Sequence, residues 1–471
     1  MTGVLGIDLG SSYSAVAHLD IDGNPEIIPD EAGDLLIPSA IGFGQDPPAV
    51  GAIAKSAQAD GDTEVAAGFT RHLGDPDFVV CFGGREFDAT DLCALLLSQL
   101  TSQAAAFSRT SAVIAVPAQF SHPQRTATIA AARRAGLDVV RLISEPAAAA
   151  VAYGLRASGP QRTIAVYDLG GGTFDVSVVR MSAEEIRVLS TEGDARLGGR
   201  DWDERIAAHV REMCAAEIGA DVDARTLLPR AEQLKHTLSA RQQGEIRLDA
   251  AGRSGRYQLS RDTFEDLTRD LLDRTEQLAN RAVESAGLSW AEIDGVLPIG
   301  GSTRMPMVRT RIARMSGREP LAGAHPDHAV VLGAALDAAT HRRGPRLVQD
   351  VTAHSLLVHG SDSAESDQLI EKNWPVPATA NRSCEFALQD GANVLDLQLT
   401  QGDPDAGIAL GRYVITGFGP GTGNTIVDIE YGYDRSGIVE VSATDRITAR
   451  PLLVTIDAAP RDPRRGSTHG Q

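Results

Sequence analysis

Along residues 164–179 the chain reads Ile-Ala-Val-Tyr-Asp-Leu-Gly-Gly-Gly-Thr-Phe-Asp-Val-Ser-Val-Val, two runs of apolar β-formers on either side of three glycines. That pattern predicts a strand, a tight turn and a returning strand, with backbone N–H groups bare where no Cβ covers them. Such a turn either wraps a phosphate or is a glycine-rich hairpin without a ligand. Asp168 closes the first strand, where a carboxylate could hold the water shell of magnesium, an ion that keeps several waters and takes few protein ligands. The same order recurs at residues 4–16, with Asp8 in the place of Asp168 and Gly10, Ser11, Ser12 and Tyr13 at the turn. Two such hairpins predict a duplicated α/β fold whose halves face one nucleotide across a cleft.

Helical spacing carries most of the chain around these hairpins. Leu92, Leu95, Leu96 and Leu100 place a core-packing helix within 88–107, and 121–135 reads as another. A buried strand at 111–116 ends at Pro117, and residues 142–146 lead into an alanine-rich helix through Tyr153. Gly198 and Gly199 open a helix, 230–239 belong to another, and Ser260 caps a long helix that carries Phe264, Leu267, Leu271 and Leu278 and ends near Gly287. A third glycine turn, Gly300-Gly301-Ser302-Thr303-Arg304, follows an apolar strand and precedes a helix, the arrangement in which amides meet a nucleotide. Past residue 344 the helical period stops. Leu395, Leu397 and Leu399 share one strand face, and Val427, Ile429 and Tyr431 another. A small all-β domain is therefore expected over 353–457, with a linker at 345–352 and a polar tail, 458–471, expected to be disordered.

Composition narrows the function classes. The 471 residues suffice for several domains with large cores. A net charge of −19 argues against nucleic acid as the main partner. No apolar run is long enough to span a bilayer, and no basic leader precedes the first strand, so a cytoplasmic protein without a membrane partner is expected, as a monomer. Cys81, Cys93, Cys214 and Cys384 form no C-x-x-C pair and read as buried thiols in a reducing compartment. Lys55, Lys235 and Lys372 are the only lysines, so a lysine in a site is informative. No G-x-x-x-x-G-K-[ST] occurs, which excludes a Walker-type nucleotide site.

With Gly6-Ile7-Asp8-Leu9-Gly10, Val116-Pro117-Ala118-Gln119-Phe120, residues 143–150, Asp168 to Asp175, Leu197-Gly198-Gly199 and Gly300 to Arg304 in this order, the chain resembles the 70-kDa heat-shock chaperones of the DnaK type. The resemblance covers Val4 to about Asp457. It implies an actin-like (ribonuclease H-like) ATPase domain of two lobes over 1–344 and a β-sandwich that grips extended apolar peptide. ATP or ADP with magnesium are the implied cofactors; unfolded polypeptide, a J-domain co-chaperone and a nucleotide-exchange factor are the implied partners. By position, Asp8, Glu145 and Asp168 match acids around the magnesium and the attacking water. Ser11, Ser12, Gly170, Gly171, Gly172 and Thr173 match phosphate contacts. Glu232, Lys235, Ser239, Gly300, Ser302, Arg304 and Asp327 match nucleoside contacts. Pro117 and Arg125 match a pair that relays nucleotide state, Arg141 and Asp350 match points of J-domain docking, and Arg71 matches an arginine that steadies the glutamate at 145. Phe386, Leu395 and Leu397 match the peptide groove, or else are β-sandwich core.

The departures from the family pattern carry their own expectations. Thr70 stands where the family places a catalytic lysine, so ATP is expected to bind but to be cleaved slowly. His236 replaces an arginine stacked on adenine, and either stacks in its place or is a surface histidine. Gln349 replaces a linker leucine, which is expected to weaken docking of the linker. The short polar stretch after Asp457 leaves no room for a helical lid, so fast, weak peptide exchange is expected. The leading reading is an ATP-regulated, lidless chaperone. The alternative is a nucleotide-binding regulatory or scaffold protein with little turnover, and a sugar or acetate kinase would share the core but leave the β-domain unexplained.

Overall fold

The computed structural model describes residues 4–102, 104, 111–154, 161–182, 184–218, 222–250, 253–323, 325–343, 347–360, 366–390, 393–404, 407–419 and 422–457. Two sheets repeat one plan. In the first, strand Leu5–Leu9 pairs antiparallel with Tyr13–Leu19 and parallel with Ser111–Val116, which is followed by the parallel strand Asp138–Ser144. In the second, Arg162–Leu169 pairs antiparallel with Phe174–Met181 and parallel with Gly295–Ile299. Each sheet thus turns back at an aspartate-led bend and recruits a later strand through a crossover.

Helices Glu145–Gly154 and Ala329–Arg343 lie between the sheets. Their alanines join Val113 and Ala115 of the first sheet and Ile164 and Val166 of the second in one core. Small residues let the two helices touch: a Cβ on Gly333 would stand 1.7 Å from the carbonyl oxygen of Ala148. Each lobe has a further core of its own, around Leu92, Leu96 and Ile114 in one and around Trp202, Tyr257 and Phe264 in the other.

Local chemistry explains where the helices start and where one of them breaks. Ser121 caps helix His122–Arg134, its own N–H bonded to Gln124 Oε1 at 2.9 Å in a reciprocal capping box. The helix expected in 88–107 runs Ala89–Ser102, with residues 103 and 105–110 outside the described set. The long helix expected from Ser260 to Gly287 is two, Arg261–Leu267 and Arg269–Ser285. Ser260 does cap, accepting from Thr263 N, but buried Thr268 leaves helical geometry (φ −120°, ψ 12°) and its hydroxyl donates to Phe264 O at 2.8 Å. A threonine bonding back to the preceding turn bends a helix, and leucine spacing alone does not reveal it.

The β-domain is one antiparallel path of eight strands, in the order Ser366–Ile370, Leu356–Gly360, Leu395–Gln401, Ile408–Thr416, Arg450–Asp457, Val439–Asp445, Gly423–Tyr433 and Ala378–Leu388. Arg450–Asp457 pairs with strands of both halves, and the halves close over Leu399, Tyr413, Ile415, Val427, Ile429 and Tyr431. The linker does not hang free. Leu347–Gln349 adds to the second lobe as a parallel fifth strand against Glu185, Ile186 and Arg187. Residues 345–346 of the expected linker and the tail 458–471 lie outside the described residues. Among the described residues no helix is long and apolar enough to cross a membrane. Cys93 and Cys214 are buried as expected, Cys384 is half-buried, and Cys81 is exposed on a short hairpin, against the expectation of four buried thiols.

Candidate nucleotide site

The two aspartate-led bends meet. A Cβ on Gly171 would fall 2.1 Å from Ser12 Oγ, and one on Gly172 would fall 2.6 Å from Ser11 Oγ, so the serines of the first turn fill the space the glycines of the second leave empty. Behind them Gly198 packs on Gly172, and Gly199 N–H donates to Gly170 O at 2.9 Å. Gly198 and Gly199 thus brace the turn from behind. Between the lobes opens a cavity of about 500 Å³. Asp8, Gly10, Ser11, Ser12, Tyr13, Glu145, Asp168 and Gly170 to Thr173 line its inner end. Glu232, Lys235, His236, Ser239, Gly300, Gly301, Ser302, Arg304 and Asp327 line its outer part.

The inner end is acidic. Burial, and then the charge of Asp327, push the Asp8 carboxyl up to about 7. Burial, and then the neighbouring charges of Asp175 and Asp8, lift Asp168 well above the usual carboxylate range. Burial, and then Asp168, Asp8 and Asp175, raise Glu145 in the same way. Carboxyls crowded in this manner hold protons until a cation arrives. Hard oxygen donors beside a cradle of bare amides suit a hydrated magnesium ion carrying a phosphate chain. Among the described residues no group of three or more His, Cys, Asp or Glu side chains is placed to hold a metal ion.

The cations of the cavity are all spoken for. Lys235 is buried, its Nζ 2.9 Å from Gly199 O and 2.9 Å from an Asp203 carboxylate oxygen. Arg304 is paired with Asp327 at the rim, and His236 is exposed one residue beyond Lys235 on helix Ala224–Ala240. Thr70, 2% exposed, donates from Oγ1 to Ser11 Oγ at 3.1 Å and brings a hydroxyl to the phosphate end. Arg71, expected beside Glu145, instead lies 3.5 Å from Asp201, whose other contact is Gly198 N–H at 2.7 Å. The stem of Arg71 runs over Gly172. Lys55, not anticipated as a site residue, bridges the lobes: its Nζ is 2.5 Å from Glu232 across the cleft mouth. The scarcity of lysine was the signal that could have found it.

The residues expected to relay state sit under the β-domain. Pro117 lines the cavity. Arg125 is buried and donates to Phe120 O at 2.9 Å, Ala118 O at 3.1 Å and, across the interface, Ser436 O at 3.0 Å. Arg141 is paired with Asp337 at 3.0 Å, and Asp350 accepts from Ser144 N at 3.2 Å. Of the groove residues, Leu397 lies in the β-domain core. Leu395 and Phe386 are half-buried at its edge, where the Phe386 ring stacks on Phe418.

A duplicated two-lobed fold with an acidic, glycine-cradled cleft and a docked β-domain defines a nucleotide-binding domain coupled to a second binding domain. The family model described as Hsp70 protein matches residues 4–464. The chain is 36% identical to the chaperone protein DnaK of Halobacterium salinarum strain R1, over 96% of this chain and 75% of that protein, and equally to DnaK of strain NRC-1. The chain belongs to the Hsp70 family: it is an ATP-regulated molecular chaperone and an ATPase. The regulatory or scaffold alternative is not favoured by these relatives.

Proposed function

We propose that the cleft binds ATP with magnesium and cleaves it slowly, and that its state governs whether the β-domain, which takes extended apolar polypeptide, is docked or free. The observation that carries this is the meeting of the two bends, Ser11 and Ser12 against Gly171 and Gly172, beside Asp8 and buried Asp168. In this reading Asp8 and Asp168 hold magnesium mostly through water, and that ion supplies the positive charge the acidic cluster calls for. Ser11, Ser12 and the amides of Gly170 to Thr173 bind phosphate oxygens, and Glu145 accepts a hydrogen bond from the water that attacks. Glu232, Lys235, Ser239, Gly300, Ser302, Arg304 and Asp327 enclose the nucleoside, with His236 against the base. Arg125 couples the cleft to the β-domain because its one guanidinium bonds both.

Slow cleavage follows from Thr70. A hydroxyl at the phosphate end carries no positive charge, and the cavity's own cations are held by Asp203 and Asp327. A missing preorganised charge costs a phosphoryl transition state several kcal/mol, on the order of 10²–10³ in rate. A Thr70→Lys variant is expected to raise single-turnover hydrolysis by at least about tenfold. Asp8→Asn should abolish the gain, and an unchanged rate in Thr70→Lys overturns the assignment. For partners, Phe386, Leu395 and Phe418 form the apolar edge offered to polypeptide, and Arg141 and Asp350 the point for a J-domain co-chaperone. Since Arg141 is paired with Asp337 and Asp350 accepts from Ser144, such a partner would compete with the Asp350 contact that holds the linker.

A further inference from the structure

Two histidines face each other's domain across the docked interface. His122, first residue of its helix in the ATPase domain, accepts at Nδ1 from the N–H of Val439 in the β-domain, at 3.0 Å. Its own backbone N–H donates to Gln401 Oε1 of the β-domain at 2.8 Å. His354, in the β-domain, reaches the other way and donates from Nε2 to Gln119 O at 2.9 Å. Gln401 Nε2 then donates to the Tyr433 hydroxyl at 3.1 Å, and that hydroxyl donates to His354 O at 3.4 Å. A closed circuit of hydrogen bonds therefore runs from His122 through Gln401, Tyr433 and His354 back to Gln119, three positions before His122.

The circuit constrains the protonation of both rings. A backbone N–H only donates, so Nδ1 of His122 must be a bare acceptor. A proton there would set two N–H groups against each other and break the contact with Val439. His354 keeps its donor in either state, but a charged ring would be added to a half-buried site already facing Lys372 and Arg125, with Glu192 as the opposing charge. Asp434 is the charge that faces His122. Asp350 and Arg435 line the small cavity beside His354. Burial in the interface depresses both rings below the ordinary histidine value, Asp434 only partly offsetting this for His122 and the Gln119 bond and Glu192 for His354.

We propose that His122 and His354 form a proton-operated latch: the β-domain docks on the ATPase domain only while both rings are neutral, and mild acid releases it. The proposal rests on the interdomain contacts and not on nucleotide binding. The sign follows from linkage. Undocked, each ring regains water and titrates near its ordinary value of about 6.5; docked, each titrates lower. Docking is thus favoured above about 6.5 and weakens as pH falls below it.

The test is small-angle X-ray scattering of the full chain from about pH 8 to 5.5, with saturating magnesium-ATP throughout. The natural chain should be compact at the upper end and extended at the lower. A double variant should stay compact throughout: His122→Asn keeps an acceptor where Nδ1 stood, and His354→Gln keeps a donor where Nε2 stood, and neither titrates. A natural chain whose dimensions do not change, one extended at every pH, or a double variant that opens in step with it each overturns the proposal. Proton NMR of the two rings gives an independent reading. Both should titrate below about 6.5 in the compact chain, and titration at the ordinary value overturns the latch.

Discussion

The two lobes begin from the same hairpin and part company at two places, the turn and the sheet edge. At the turn the first lobe has Ser11 and Ser12 where the second has Gly171 and Gly172, and the hydroxyls of one occupy the room a Cβ would take in the other. One half supplies side chains and the other bare backbone, so a single cleft needs both. At the edge the first sheet is finished by Pro25–Ile27, whose proline has no N–H to offer. The second sheet leaves Glu185–Arg187 open, and the linker strand Leu347–Gln349 takes it. Duplication gave the cleft two facing turns. The asymmetry at the edge connects it to the β-domain.

The largest effect should come from testing the equivalence of the turns. Asp8→Asn and Asp168→Asn, one per lobe, are each expected to lower single-turnover ATP hydrolysis by about a hundredfold or more, and a silent substitution in either lobe breaks the comparison. Next is the brace behind the second turn. A Cβ at Gly198 would stand 2.5 Å from the backbone carbon of Gly172, which cannot swing aside as a side chain can. Gly198→Ala is expected to cost about 1–3 kcal/mol, read as a lowered midpoint of thermal unfolding. Smaller still is the edge. Gln349→Pro removes one ladder donor, worth about 1 kcal/mol, and should shift docking about fivefold toward the extended form in scattering. Gln349→Leu should strengthen docking by less than about 1 kcal/mol, because Gln349 is only half-buried.

The legibility of the site followed the range of the interactions that build it. Asp8, Asp168 and their glycines announced themselves because turn chemistry is local: a strand, an acid and residues without Cβ must stand together in the chain to act together. The third turn at Gly300 was legible for the same reason. The Arg71–Asp201 pair was not legible because Asp201, itself held by Gly198, lies more than a hundred residues away, and nothing near Arg71 records that choice. Thr268 was missed because its hydroxyl found the carbonyl of Phe264, a competition that leucine periodicity does not register. Leu397 alternates correctly along its strand, yet only the closing of the β-domain decides that its side chain is buried.

The amino-acid order by itself determined the duplicated hairpins, the acids that lead them, the change from helical to two-residue period near 344, and the family to which these belong. Tertiary structure alone decided that Lys55 ties Glu232 and Lys372 ties Glu192, so that two of the three lysines clasp separate bodies together. It alone brought His122, Gln401, Tyr433 and His354 into one circuit. The reason is physical: propensity and periodicity act over a few residues, whereas an ion pair or an interdomain hydrogen bond depends on where the whole chain has put its far ends.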